Sequence, residues 1–280
     1  MNQLRVQFGD AKLFVEGDDN LLEREREAFL EQLNSHKERA EGIMGQLLRA
    51  IAPADDEPEE DTEEPGDGLC RKRSIQTGCV SPAQLKKARE AGTLDKLLSP
   101  YDEIDVPLDT GGTVTMVCGY VTPTTARFVM KDCWDCAAMN NPATNKGGYF
   151  KSRGRQHVLT DIYPHIVPEW QEIIVNRTFV ETIDGEQVEY ADPMWLPSAT
   201  DVLGRAEKDW WKDQDDDFQL PIFLRERDRV KECGENGTYR WWLRSASTSY
   251  SSSFCGVYTG GSASASYAGH SSGFAPGFDI

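Results

Sequence analysis

The chain has 280 residues, 39% of them hydrophobic, and a formal net charge of −17 at pH 7. This length and apolar fraction suit a packed core in one large or two ordinary domains, and they exclude global disorder. The excess of carboxylates repels phosphate backbones and anionic membrane surfaces, which argues against nucleic acid as a partner. No run reaches the roughly 18 apolar residues of a membrane span. Residues 1–20 also lack a signal-peptide pattern, so we expect no membrane insertion and folding in a cytoplasm.

The first 68 residues divide into three segments. Residues 1–20 alternate apolar and polar positions around Gly9-Asp10, which predicts a short hairpin with strands at 3–8 and 12–16. Residues 21–52 place apolar side chains at 3-4 spacing and predict an amphipathic helix. That helix either docks on its own domain or joins copies of the chain as a coiled coil, which makes a homo-oligomer possible. Residues 53–68 carry nine acidic residues and three prolines, so they predict a flexible linker.

Residues 69–280 have a different composition and predict a single α+β domain with much irregular structure. Ser81 followed by Pro82 marks the start of a helix that we expect to run to Leu98. Strands are expected at 113–120 and 125–130. Tryptophans scattered among loops then supply large buried rings, each worth on the order of 150–250 Å² of buried surface.

The cysteines and acidic clusters yield no convincing metal or catalytic site. Seven cysteines are an odd count in a chain of this size, so reduced thiols are the default expectation. Cys133 and Cys136 have the spacing of half a zinc site, but no second pair completes it. The segment 213–217 resembles the start of a calcium loop and lacks its required glycine and final glutamate. We therefore expect no metal, no cofactor and no enzymatic activity.

Residues 247–272 form the most informative segment. They are almost entirely Ser, Gly, Ala, Tyr and Thr, interrupted by more apolar positions that we interpret as fixed anchors. A disordered linker would be depleted in aromatic and apolar residues, so we expect the segment to be folded. Tyr offers a large rigid contact while Ser and Gly adapt around it, as in antibody loops, which indicates a recognition surface. The anchors are Phe254, Cys255, Val257, Ala263 and Ala268.

Several motifs around this segment resemble a known family. The runs 241–245, 254–257 and 273–280 resemble the C-terminal signature of an uncharacterised domain family common in gut bacteria and their phages. Residues 105–119, 139–141, 144–149 and 196–198 are also similar to that family, so the resemblance covers about residues 81–280. It implies a C-type-lectin-like fold and membership among the variable proteins of diversity-generating retroelements.

In those systems a reverse transcriptase miscopies template adenines, so that asparagine codons become codons for Ser, Tyr, Gly, Thr, Asp, His or Ala. Nearly every non-anchor residue from Ser249 to Ser272 is one of these, and Asn is absent from the stretch. The resemblance therefore implies a set of diversified, ligand-contacting positions, which we call the variable set. It consists of Ser249, Tyr250, Ser251, Ser252, Ser253, Gly256, Tyr258, Thr259, Gly260, Ser262, Ser264, Ala265, Ser266, Tyr267, Gly269, His270 and Ser272.

The resemblance implies a non-enzymatic binding protein that displays a hypervariable lectin-like face. By analogy with retroelement-diversified tail proteins, we expect a phage or prophage structural protein in the virion, which attaches to a protein or glycan receptor on a bacterial cell. One alternative is a bacterial surface or secreted binding protein of the same fold. Another is an oxidase of the formylglycine-generating type, which needs a reactive cysteine pair near a cleft.

Overall fold

A computed structural model describes residues 2–8, 11–17, 80–204 and 218–280 of the chain. The chain divides into two compact units, Met1–Ala54 and Asp55–Ile280. The predicted helix at 21–52, the predicted linker at 53–68 and the acidic segment 213–217 lie outside the described residues. In the first unit, strands β1 (Asn2–Phe8) and β2 (Ala11–Gly17) pair antiparallel in register, with Leu4 opposite Val15.

The second unit begins with the predicted capped helix. Ser81 accepts a hydrogen bond from the backbone N–H of Gln84, whose side chain accepts from the N–H of Ser81 in return. The helix α1 (Pro82–Glu90) is shorter than predicted. Gly92 has a φ of +65°, a left-handed conformation that ends the helical run before a second short helix begins at Leu94.

The other helices within residues 80–204 and 218–280 are short. The α-helices are α2 (Leu94–Leu97), α3 (Arg153–His157), α4 (Pro168–Gln171) and α5 (Ala199–Leu203). A π-helical turn spans Val158–Ile162, and 3-10 turns span Tyr163–His165, Pro221–Phe223, Glu226–Arg229 and Gly234–Asn236.

Most of the regular structure of this unit is strand. The strands between residues 103 and 192 are β3 (Glu103–Pro107), β4 (Thr113–Val121), β5 (Ala126–Met130), β6 (Asp135–Ala138), β7 (Arg177–Ile183) and β8 (Glu186–Asp192). They are followed by β9 (Lys231–Glu232), β10 (Thr238–Tyr239), β11 (Trp241–Ala246), β12 (Ser253–Val257), β13 (Ala263–Tyr267), β14 (Ser271–Phe274) and β15 (Gly277–Asp279).

Two larger sheets organise these strands. One has the order β13-β12-β11-β14-β6 and is antiparallel except where β14 runs parallel to β11. The other has the order β15-β5-β4-β3 and is wholly antiparallel, so the last strand of the chain pairs with β5 in the middle of the sequence. Hairpins β7-β8 and β9-β10 complete the set. Helices and mostly antiparallel sheets together confirm the predicted α+β class. No helix among the described residues is both long and apolar enough to cross a membrane.

The strand β11 is the centre of the buried core. All six of its residues are buried, including Arg244. Trp241 and Trp242 are both fully buried, and their indole N–H groups donate to the carbonyls of Arg229 and Ala137. Strand alternation predicts that only one of two adjacent tryptophans in a strand lies in the core. That expectation is wrong, because β11 lies in the middle of its sheet and is covered on both faces.

Candidate functional site

The segment 247–272 contains strands β12 and β13, three turns and the first two residues of β14, and β13 is an edge of the five-stranded sheet. The structure places the anchors on the inside of the domain. Phe254, Cys255, Val257 and Ala268 are fully buried, and Ala263 is half-buried. The β12-β13 ladder pairs Ser253 with Tyr267 and Val257 with Ala263. The Ser/Gly-rich composition therefore coexists with a regular, packed ladder.

Part of the variable set is exposed. Tyr250, Tyr258 and Tyr267 are 61%, 49% and 48% exposed, which is unusual for rings of this size. The other exposed members are Ser249, Ser251, Thr259, Gly260, Ser262, Ala265, Gly269 and His270, while Ser252 is half-buried. These positions lie in the turns and on the outward face of β13, where a partner can reach them.

Five members of the variable set are buried, which corrects their placement on the contact surface: Ser253, Gly256, Ser264, Ser266 and Ser272. Strand alternation explains Ser264 and Ser266, whose hydroxyls lie 2.9 Å apart on the inner face of β13. The others lie on inner strands β12 and β14. Small residues in this stretch are therefore of two kinds, exposed contact positions and buried packing positions, and composition alone does not separate them.

The exposed tyrosines do not lie at one point. Tyr250 and Tyr267 are near the same end of the β12-β13 ladder, where the N–H of Ala268 donates to the carbonyl of Ser252. Tyr258 begins the turn at the opposite end, five strand residues or roughly 16 Å away. The outward face of β13, with Ala265 at its middle, connects the two ends. The candidate contact surface is thus elongated along β13.

A residue that sequence reasoning missed holds the turn between β11 and β12. The buried side-chain amide of Asn145 lies 2.9–3.0 Å from the carbonyl oxygens of Ser247, Tyr250 and Ser253. Its backbone N–H also donates to the carbonyl of Ser251, at 2.7 Å. No sequence signal could have identified this role, because the acceptors are main-chain atoms about 100 residues further along the chain.

We expect Asn145→Leu to destabilise the fold by about 1–3 kcal/mol, because it removes the donor from buried carbonyls without removing volume. The turn 247–253 should also exchange its amide hydrogens faster than in the wild type. Urea denaturation and hydrogen-exchange mass spectrometry measure the two effects. The matched control is Lys146→Leu, which changes an exposed neighbour; equal behaviour of the two variants would contradict this role of Asn145.

The buried members of the variable set yield a second test. A Cβ added at Gly256 would lie 2.8 Å from the carbonyl oxygen of Trp241 and 3.2 Å from the hydroxyl of Ser266. We expect Gly256→Asn to cost about 1–3 kcal/mol through overpacking. Ala265→Asn, on the exposed face of the neighbouring strand, should stay within about 0.5 kcal/mol. Thermal melting compares them directly, and a stable Gly256→Asn variant would mean that this position is open to diversification after all.

A cleft of about 260 Å³ lies beside the same turn. It is lined by the loop 145–148, by residues 181–184 of the β7-β8 hairpin, and by Ala246 and Ser251. At its base Glu181 is buried and accepts hydrogen bonds from the hydroxyl of Tyr190 and the N–H of Phe150. Lys146, Asp184 and Ser251 are exposed polar residues that line it. The cleft can accept a small polar group of a ligand held by the turn.

The cysteines differ from the expectation of reduced thiols. Cys136 and Cys233 form a disulfide that joins β6 to the segment between β9 and β10. Local sequence pattern does not predict this pairing, because the two cysteines are 97 positions apart. Burial raises the pKa of Cys133 to about 12 and also raises that of Cys118. Both thiols therefore stay protonated near neutral pH, which makes them weak nucleophiles.

The described residues contain no group of three or more His, Cys, Asp or Glu side chains that could hold a metal ion. The basic side chains near the start of α3 are engaged internally: the guanidinium of Arg155 bonds both carboxylate oxygens of Asp192, at 2.6 and 2.8 Å. His157 lies between Asp135 and Asp161, and these hydrogen bonds raise its pKa. Internal pairing thus accounts for Arg155 and His157, two of the three basic residues at 153–157.

The second unit is therefore an α+β domain with a buried tryptophan-rich strand and an aromatic, Ser/Gly-rich edge. The chain belongs to the family described as a domain of unknown function (DUF6273), which it matches over residues 126–280. This range contains β5 to β15 and the whole candidate surface. Comparison with curated proteins found no match, and comparison with solved structures found none.

Proposed function

We propose that the protein is a non-enzymatic binding protein whose elongated edge surface recognises a receptor on a bacterial cell. The observation that carries the proposal is the separation of roles within one short segment. Large tyrosine rings are exposed in the turns and at the end of β13, while the anchors Phe254, Cys255 and Val257 between them are fully buried. Exposed Tyr among Ser and Gly is the composition of adaptable binding loops.

The proposal includes a C-type-lectin-like fold and a diversified origin for the exposed members of the variable set. Several features support it: the pairing of β15 with β5, the small amount of helix among the described residues, and irregular segments packed around a tryptophan-rich strand. A scaffold that fixes the anchors beneath exposed turns can change its contacts without changing its core. A phage or prophage structural protein that attaches to its host is the role that best uses such a surface.

One observation favours a second candidate, a bacterial surface or secreted binding protein. Disulfides form and persist mainly in oxidising compartments and outside cells, and this domain has one between Cys136 and Cys233. A virion particle also meets such conditions after release. Immunogold labelling of virions and of intact bacteria separates the two: label on particles supports the attachment protein, and label on uninfected cells supports the surface protein.

The receptor-binding proposal is tested by staining. Fluorescently labelled full-length protein is applied to a panel of intact gut bacteria, with excess unlabelled protein as competitor and heat-unfolded protein as control. We expect saturable staining of a minority of strains, which the competitor removes. Staining of every strain alike, or of none, would contradict the proposal.

The diversified origin has its own test in the neighbouring DNA. A reverse-transcriptase gene beside a near-copy of codons 247–280, differing only at template adenines, is the expected arrangement. Absence of such a repeat from the complete genome would remove the diversification claim and leave the binding claim to the staining experiment.

A further inference from the structure

No strand in the part of the chain that the structure describes pairs with the outer edge of β13. In the sheet order β13-β12-β11-β14-β6, β13 is the terminal strand and pairs only with β12 among the described residues. It contains neither proline nor a charged residue, and no bulge interrupts its ladder. Those are the devices by which proteins commonly protect an edge strand from pairing with another chain.

The hydrogen-bond pattern shows which backbone groups face outward. The backbone N–H of Tyr258 donates to the carbonyl of Ser262, and the backbone N–H of Ala268 donates to the carbonyl of Ser252. Residues 262 and 268 therefore form hydrogen bonds on the β12 side. In an antiparallel ladder every second residue directs its backbone N–H and C=O groups toward the same neighbouring strand. Those groups of Ser264 and Ser266 therefore also face β12. The N–H and C=O groups of Ala263 and Ala265, and the N–H of Tyr267, therefore point away from the sheet. The carbonyl of Tyr267 accepts from the N–H of His270 and ends the open row.

We propose that β13 receives an extended segment of the receptor protein as an additional strand, so that the sheet continues from this chain into its ligand. Main-chain hydrogen bonds would supply affinity, and the exposed side chains on the same strand would supply selectivity. This inference rests on the proposed receptor-binding function and names its ligand class as protein.

The side chains fit such a partner. Ala265 is exposed and small, and it lies between half-buried Ala263 and the exposed ring of Tyr267. A large or β-branched side chain on the incoming strand can lie against Ala265 and contact the ring, the kind of cross-strand pair that stabilises sheets. Tyr258 and Thr259 are exposed in the turn that leads into the other end of β13. The exposed members of the variable set and the outward N–H and C=O groups of β13 thus belong to one continuous surface.

Charge favours a receptor segment over a second copy of this chain. Two copies, each with a formal charge of −17, repel on approach, whereas a neutral or basic segment does not. The partner strand is therefore expected to be free of proline at the paired positions, neutral to basic overall, and at least five residues long to match β13.

The test uses linear heptapeptides, because the receptor is not identified. Full-length protein is used to select binders from a random heptapeptide library on yeast, and the selected peptides are synthesised. Ala265→Pro removes one outward N–H and leaves the bonds to β12 in place, since proline is tolerated at outward positions of edge strands. Ala265→Ser keeps the N–H and is the matched control. We expect Ala265→Pro to bind the selected peptides about tenfold or more weakly than Ala265→Ser, because both variants change the side chain and only the proline removes the outward N–H.

A second measurement does not depend on how Ala265→Pro folds. Single N-methyl groups are placed along a selected peptide and binding to the wild-type protein is measured. If the peptide forms a strand, losses of about tenfold should recur at alternate residues, because only every second N–H faces β13. Uniform effects along the peptide, or equal binding by the Ala265→Pro and Ala265→Ser variants, would overturn the inference.

Two other outcomes would also overturn it. Sedimentation equilibrium that shows a larger wild-type assembly than Ala265→Pro assembly would mean that a second copy occupies the edge. Binding to a glycan array without any selected peptide would assign the surface to a carbohydrate. In the glycan case the staining of bacterial cells would persist, so the inference would fail while the proposed receptor binding would stand.

Discussion

Trp241→Ala and Trp242→Ala should each lower the free energy of unfolding by about 3–5 kcal/mol, the usual range for truncation of a buried aromatic side chain. Both indoles are fully buried, and each donates its N–H to a backbone carbonyl, so each variant creates a cavity and leaves an acceptor without its donor. Trp241 also lies 6.1 Å from the ring of Phe223 and 5.0 Å from the amine of Lys231. Its loss therefore affects packing beyond β11.

Urea denaturation followed by circular dichroism measures both losses without using tryptophan fluorescence as the probe. Tyr258→Ala is the matched control, because it removes an aromatic ring of similar size from an exposed position. Conservative variants in which each tryptophan becomes phenylalanine should lose less, since the ring volume largely remains. A negligible loss in either alanine variant would show that the corresponding face of β11 is not part of the core.

Local signals predicted the start of the domain well. Ser81 and Pro82 begin a helix as expected, because capping depends on a few adjacent residues. Strands were expected at 113–120 and 125–130, and β4 and β5 begin and end within one residue of those bounds. The helix ends at Glu90, before the predicted end at Leu98. At Gly92 the backbone takes a left-handed conformation, which a helix cannot continue.

One hairpin was missed although its signal is in the sequence. Asp184-Gly185 lies between two alternating runs, a strong indication of a tight hairpin turn. The structure has both residues at positive φ, between β7 and β8. This hairpin matters to the candidate site, because residues 181–184 line the cleft beside Ser251.

Long-range features could not be predicted from local pattern. Three features join residues that are far apart in the chain. They are the parallel pairing of β11 with β14, the Cys136–Cys233 disulfide, and the hydrogen bonds from the Asn145 side chain to the turn 247–253. Burial in the segment 247–272 also depends on strand position. Ser266 and Tyr267 are neighbours in sequence, yet one faces the inside of the sheet and the other is exposed. Composition indicated a binding segment, but only the register separates contact positions from packing positions.

The combined variant Tyr250→Ser, Tyr258→Ser and Tyr267→Ser should abolish staining of bacterial cells. Truncation of a central aromatic contact often costs a complex about 2 kcal/mol or more, and these are the large exposed rings of the candidate surface. The fold should be nearly unaffected, because exposed substitutions away from caps and cores usually change stability by within about 0.5 kcal/mol each. The combined variant Phe254→Ser, Val257→Ser and Ala268→Ser removes buried anchors instead and should unfold the domain.

The measurement that tests this account most directly is therefore thermal melting and cell staining on the same preparation of the triple tyrosine variant. The account predicts a melting temperature within a few degrees of the wild type and no staining, with the triple anchor variant unfolded at the start of the melt. A triple tyrosine variant that melts early would show that these rings stabilise the core. One that stays folded and still stains the cells would show that recognition takes place elsewhere on the molecule.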